Sequence, residues 1–160
     1  MNETSLVPTH VREAIEAACK GAEVSLINLE VRGQHRQMRM EISIDSPSGI
    51  THEQCRAVSR GIDDRLNEDE FFDRFKAVDV SSPGAETPVR FLWQLTKHVG
   101  RTVHVKRTDG TVLQGTLLRA DETGLDVQPK SKERSKSQQA LEHVTIPATE
   151  ISVAHMVISL

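Results

Sequence analysis

Few residue groupings in this 160-residue chain could carry chemistry. Asp79, Ser81 and Ser82, joined by a histidine, would supply an acid, a nucleophile and a base, which requires a hydroxyl whose proton a neighbouring imidazole can take. Neither serine lies in a Gly-x-Ser-x-Gly elbow, and Pro83 follows directly, so the sharp turn that presents such a hydroxyl is missing. The seven histidines, His10, His35, His52, His98, His104, His143 and His155, have neither a His-Glu-x-x-His spacing nor a Cys-x-x-Cys companion, and no metal site is expected. Residues 110–116 echo a phosphate-binding loop in Gly110 and Gly115, but the required lysine is absent. What remains is charge. Residues 129–139 hold Lys130, Lys132, Arg134 and Lys136 with no apolar residue after the proline, a composition that stays solvated and attracts phosphate oxygens by releasing condensed counterions.

Arg101, Lys106 and Arg107 fall in the same half of the chain and complete a candidate RNA-facing set with that loop. The halves differ in sign: residues 1–89 carry 10 Lys/Arg against 16 Asp/Glu, whereas residues 90–160 carry 10 against 7. A basic module on a protein of net charge −3 fits contact with RNA or an RNA-containing particle, but not a stand-alone, high-affinity nucleic-acid binder. Without tyrosine and with 3% aromatics, the chain is expected to lack an exposed platform for stacking unpaired bases. Cys19 and Cys55 lie far apart on apolar helical stripes, which predicts buried free thiols in a reducing compartment. Residues 1–7 show no signal sequence and no stretch approaches a membrane span, so a cytoplasmic location is expected.

The elements that must position these residues are legible from periodicity. Val7, Val11, Ile15, Ala18 and Cys19 recur at helical spacing, with Pro8 in the first turn and Gly21 as a C-terminal cap. Residues 23–32 alternate like a strand but slip phase near Ile27 and Asn28, the mark of a bulge. Met38, Met40, Ile42 and Ile44 form a second strand that pairs back as a hairpin. Thr51 and Gln54 make a capping box for a helix whose inward stripe is Cys55, Val58, Ile62 and Leu66. Glu68, Asp69, Glu70 and Asp73 read as a solvated acidic cluster, and Phe71, Phe72 and Phe75 as core leading into a strand that ends at Ser81. The order α-β-β-α-β predicts a two-layer sandwich of the KH kind, yet no Gly-x-x-Gly occurs to grip a nucleic-acid backbone.

Beyond Ser81, Pro83 and Gly84 suggest a type II turn with a positive φ at the glycine. Residues 90–100 read as a short helical linker in which Trp93 and Leu95 are available to pack between domains. Residues 101–160 then show five short strands, with Asp109-Gly110 as a two-residue hairpin turn and a bend at Gly115, which predicts an SH3-like or Sm-like β-barrel. The expected class is thus α+β, with a sandwich over 1–89 and a barrel over 101–160.

Asp79-Val80-Ser81-Ser82-Pro83-Gly84, followed by Pro88 and Arg90-Phe91, resembles the signature of the RimP family of bacterial ribosome maturation factors. The likeness extends to Ile44-Asp45, Gly49-Ile50-Thr51 and residues 55–60 before it, and to residues 100–103, Gly115-Thr116-Leu117 and residues 151–154 behind it. One departure is that Glu86-Thr87-Pro88-Val89 stands where the family usually has Asp-Arg-Pro-Leu. The resemblance implies a non-enzymatic, monomeric assembly factor that binds the immature small (30S) ribosomal subunit through rRNA and a small-subunit ribosomal protein, with Asp79, Ser81, Ser82, Pro83, Gly84 and Pro88 as turn and possible protein contact. It implies no cofactor, membrane or small-molecule substrate. The competing reading from the residues is a general RNA-binding or RNA-chaperone protein built on an Sm-like barrel.

Overall fold

A computed structural model describes residues 7–34, 37–130 and 143–158, and the chain divides into two compact units, Met1–Pro83 and Gly84–Leu160. Lys132, Arg134 and Lys136 lie outside the described residues, as does His35. Among the described residues α-helices occur only in the first unit and the second is built on strands, as expected of an α+β chain.

In the first unit, α1 (Thr9–Gly21) buries Val11, Ile15, Ala18 and Cys19, the stripe that helical spacing places on one face. Pro8 occupies the N-cap position, and the chain leaves the helix through Glu23, the one described non-glycine residue with a positive φ, 62°. Gly21 is therefore the last helical residue and not the cap. Strands β1 (Ser25–Arg32) and β2 (Met38–Asp45) pair antiparallel, with a register shift between Leu26 and Asn28 where the sequence slips phase. Helix α2 (His52–Leu66) opens on a complete capping box: Thr51 Oγ1 accepts from the Gln54 backbone at 3.1 Å, and Gln54 Oε1 accepts from the Thr51 backbone at 2.9 Å. Such an N-cap contributes about 0.5–2 kcal/mol. Val58, Ile62 and Leu66 are buried and Cys55 half-buried.

Strand β3 (Phe75–Ser81) then pairs parallel to β2 in a sheet ordered β1-β2-β3. The core joins both helices to this sheet through Val11, Ile15, Leu29, Met40, Ile42, Ile44, Val58 and Ile62. Phe71, Phe72 and Phe75 pack against it but are only half-buried, with ring centroids 5.2 Å (Phe71 to Phe75) and 6.0 Å (Phe72 to Phe75) apart. Their aromatic area is shared between the core and the surface because β3 is an edge strand with no fully buried residue.

The second unit is a five-stranded sheet: β4 (Thr102–Arg107), β5 (Val112–Asp121), β6 (Gly124–Pro129), β7 (Val144–Pro147) and β8 (Ile151–Met156), in the order β7-β6-β5-β4-β8 with every pair antiparallel. Val103, Val105, Leu117, Leu125, Val127, Ile146 and Ala154 form its core together with Leu95. Leu95 comes from the 3₁₀ helix Leu92–His98, so this segment is fastened to the second unit. The β4–β5 connection differs from a two-residue turn. Gly110 N–H donates to Arg107 C=O at 3.0 Å, Arg107 N–H donates to Thr111 C=O at 2.8 Å, and Gly110 alone in this connection has positive φ, 90°. Asp109 spends its side chain on Thr111, accepting from the backbone N–H at 2.9 Å and the hydroxyl at 2.6 Å. A type I turn with a glycine in the left-handed position after it therefore wins over the mirror-image turn.

Gly115 is required by proximity. It faces β6, where a Cβ would come 2.1 Å from the Gln128 carbonyl oxygen and 2.8 Å from Pro129 Cα. A polar network staples β5, β6 and β7 on the other side. Arg119 donates to both Asp126 oxygens, at 2.9 and 3.3 Å, and to Asp121, while Thr145 donates to Asp126 at 2.8 Å.

Candidate nucleic-acid interface

Strand alternation sets which cations the second unit displays. On β4, Val103 and Val105 point into the core, so Thr102, His104 and Lys106 take the opposite face. Lys106 is exposed and makes no ion pair among the described residues, and the same holds for Arg101. Lys130, at the end of β6, swings its ammonium to Thr102 Oγ1 at 2.7 Å, which brings it to the start of β4 beside Arg101. Arg107 is half-buried beyond a register shift between Lys106 and Arg107, and its Nε is buried without a hydrogen-bond partner among the described residues. The four described cations thus form two pairs, Arg101 with Lys130 and Lys106 with Arg107, at opposite ends of β4, about 13 Å apart at ~3.3 Å per residue. Between them His104 stacks on His155 of β8, ring centroids 4.8 Å apart, with Gln114 Oε1 3.4 Å from His104 Nδ1.

Arg119 does not join this set. Its guanidinium is committed to Asp121 and Asp126. Thr123 first, through hydroxyl and backbone N–H, and then Arg119 hold the Asp121 carboxyl at about 2, and Arg119 with Thr145 hold Asp126 below the usual carboxylate range.

The motif residues divide between the units. Asp79, Ser81 and Ser82 are exposed at the end of β3, with Asp79 4.0 Å from Arg39, and Pro83 is half-buried. Gly84 begins the second unit, and its φ lies outside the left-handed region. The turn falls two residues later than the pairing of proline and glycine suggests: Thr87 N–H donates to Gly84 C=O at 3.0 Å, making Ala85 and Glu86 the central residues. A Cβ here would meet only the side chain of exposed Thr87, 2.9 Å from its Oγ1, a contact that rotation of the threonine relieves. Pro88 is exposed, and Val89 N–H donates to Ala154 C=O of β8 at 2.9 Å.

An exposed aromatic platform, unexpected from the 3% aromatic content, follows directly. Phe91 and Trp93 lie nearly parallel, with centroids 5.8 Å apart and planes at 8°, and the Arg90 guanidinium sits 5.3 Å from the Phe91 centroid. Phe91 is 38% exposed. Buried Gln94 holds this segment by accepting from the backbone N–H groups of Arg90 and Phe91, both at 2.9 Å. The signal was the spacing Arg90-Phe91-x-Trp93, which puts Phe91 just before the 3₁₀ helix and Trp93 in its first turn.

In the first unit, the acidic cluster holds no metal-ligating group of three among the described residues. Asp69 instead pairs with His10 at 2.6 Å and accepts from Phe71 N–H at 2.9 Å; the His10 hydrogen bond is the main reason its carboxyl lies below the usual range. Cys19 and Cys55 are free thiols; burial, with Glu16 nearby, pushes Cys19 up to about 11. None of the described helices is long and apolar enough to cross a membrane.

These features define a two-unit α+β protein whose strand-built unit displays separated cations and a ring platform. The RimP N-terminal domain matches residues 14–86. The chain is 33% identical over 144 residues to the ribosome maturation factor RimP of Chlorobium chlorochromatii (strain CaD3), covering 80% of each chain. It is 30% identical over 131 residues to that of Prosthecochloris aestuarii (strain DSM 271 / SK 413), covering 74% of this chain and 73% of the relative. With the RimP of Cytophaga hutchinsonii it shares 26% identity over 161 residues, 96% of this chain and 95% of the relative. The chain belongs to the RimP family of ribosome maturation factors.

Proposed function

We propose that this ribosome maturation factor binds the immature small (30S) subunit in the cytoplasm, as a monomer, and promotes assembly by binding alone, without catalysing a reaction. In this reading residues 1–89 act as a two-layer sandwich domain, residues 101–160 as an SH3-like or Sm-like barrel, and residues 90–100 connect them. A binder favours one ribonucleoprotein arrangement over another only by its difference in affinity for the two, so its contacts must fall on elements that change during maturation. Arg101, Lys106, Arg107 and Lys130, with Lys132, Arg134 and Lys136 of residues 129–139, contact rRNA phosphates. Asp79, Ser81, Ser82, Pro83, Gly84 and Pro88 contact a small-subunit ribosomal protein, for which the acidic first half suits a basic partner.

The observation that carries this reading is the pair of exposed cations Arg101 and Lys106, free of carboxylates among the described residues, on a chain whose relatives are named for ribosome maturation. Cosedimentation of the purified protein with small subunits, large subunits and complete ribosomes at moderate salt tests it. Pelleting confined to free small subunits is expected. Equal pelleting with all three, or equal affinity for naked RNA, would return the chain to the general RNA-binding class.

A further inference from the structure

We infer that the groove beside Phe91 and Trp93 is a slot for one unpaired nucleobase, stacked on the ring pair. The inference rests on the reading of this chain as an rRNA-contacting factor and deepens it by naming a contact that phosphate charge does not provide. The groove has a volume of about 310 Å³, at the small end of the ~300–1,000 Å³ usual for ligand sites. It is lined by the backbone-anchored rings, by apolar Val89, Ala148 and Ile151, and by the polar side chains of Arg90, Glu122 and Ser152, all within the second unit.

Three observations favour a base over an aliphatic side chain. The rings are already offset-stacked at 8°, so a third flat ring extends an existing column without rearranging it. Gln94 fixes the backbone on which the stack stands, which removes the ordering cost that a loose aromatic would add on binding. The polar groups at the groove match a base edge: the Glu122 carboxylate accepts hydrogen bonds only, as an exocyclic amine requires, and the Ser152 hydroxyl both donates and accepts. Adenine, cytosine and guanine, which carry that amine, are therefore preferred over uracil. The Arg90 guanidinium, over Phe91, adds a cation near the phosphate that follows the base.

Trp93 is the only tryptophan in the chain, so its fluorescence reads this site directly. The full-length protein is titrated with short unpaired oligoadenylate, with oligouridylate, and with an abasic ribose-phosphate oligomer of equal length. Oligoadenylate is expected to quench Trp93 and to bind about 5- to 150-fold more tightly than the abasic oligomer, the range that one stacked base supplies. Phe91→Leu should lose that advantage, and Glu122→Gln should narrow the preference for adenine over uracil. Equal affinity for abasic and base-bearing oligomers overturns the inference. So does quenching by a basic, proline-containing peptide in the absence of quenching by any oligonucleotide, which would make the groove a protein-docking site. Thermal unfolding of Phe91→Leu checks that the second unit still folds, and Glu122→Gln, at an exposed position, supplies a second route if it does not. Failure here with small-subunit cosedimentation intact removes the slot and leaves the maturation reading standing.

Discussion

Replacing Gly115 by alanine tests the packing of the second unit at its tightest point. The new Cβ would lie 2.1 Å from the Gln128 carbonyl oxygen and 2.7 Å from its carbon, where ordinary contact begins at 3.4 Å. The obstacle is backbone, which cannot rotate aside as a side chain tip can, so β6 must retreat by more than an ångström or the β5–β6 ladder must break locally. Such overpacking costs about 1–3 kcal/mol. Alanine restricts the unfolded chain more than glycine does, which offsets about 0.4–1 kcal/mol. A net destabilisation of about 1 kcal/mol is therefore expected, and in a domain of this size it lowers the melting temperature by about 4–8 °C. Trp93 lies in the affected unit and is the sole tryptophan, so a fluorescence-monitored melt reports on that unit alone. A midpoint that stays with the parent would mean that the strands do not approach as described, and the argument for glycine at this position would fail.

Acid should weaken the same unit in a defined window. Asp121 sits at about 2 against an ordinary 3.8, and Asp126 is also lowered, so their contribution is present above the ordinary value and fades as pH falls from 3.8 towards 2. Asp121→Asn should flatten that acid limb in the Trp93 signal; an unchanged limb would refute the assignment. Cys19 is buried and its thiol raised to about 11, so mass spectrometry after brief alkylation at pH 8 should find Cys55 modified well before Cys19. Equal labelling would contradict that burial. Reversing Lys130, Lys132, Arg134 and Lys136 together should reduce the log–log salt slope of RNA binding by up to about three, at ~0.7 per single-strand contact. A slope equal to the parent's would remove these four residues from the interface.

How far the sequence could be read depended on how local each signal was. The Thr51–Gln54 capping box, the α1 stripe and the phase slip at Ile27 and Asn28 involve neighbours within one turn or one strand, and each appears where its spacing places it. The same locality misled at Gly84, where proline-glycine composition suggested a left-handed residue but the hydrogen bond from Thr87 moved the turn onward. At Asp109-Gly110 the Asp109 side chain, bonded to Thr111, selected a different turn. Non-local facts left weaker traces. That Leu95 enters the second core, that Arg119 is occupied by Asp121 and Asp126, and that Phe91 meets Trp93 in a stack all depend on partners or backbone paths that periodicity does not encode.

Strand β3 has one neighbour among the described strands, lies parallel to it, and contains no fully buried residue, yet it leads straight to the boundary after Pro83. It is held by half-buried Phe75, Val78 and Val80 and by its ladder with β2. Its detachment would leave both helices and the β1–β2 hairpin joined while releasing seven residues, about 23 Å of extended chain at ~3.3 Å each. The first unit thus places its least buried strand at the edge of its sheet, where local fraying begins before the helices and the hairpin have to separate.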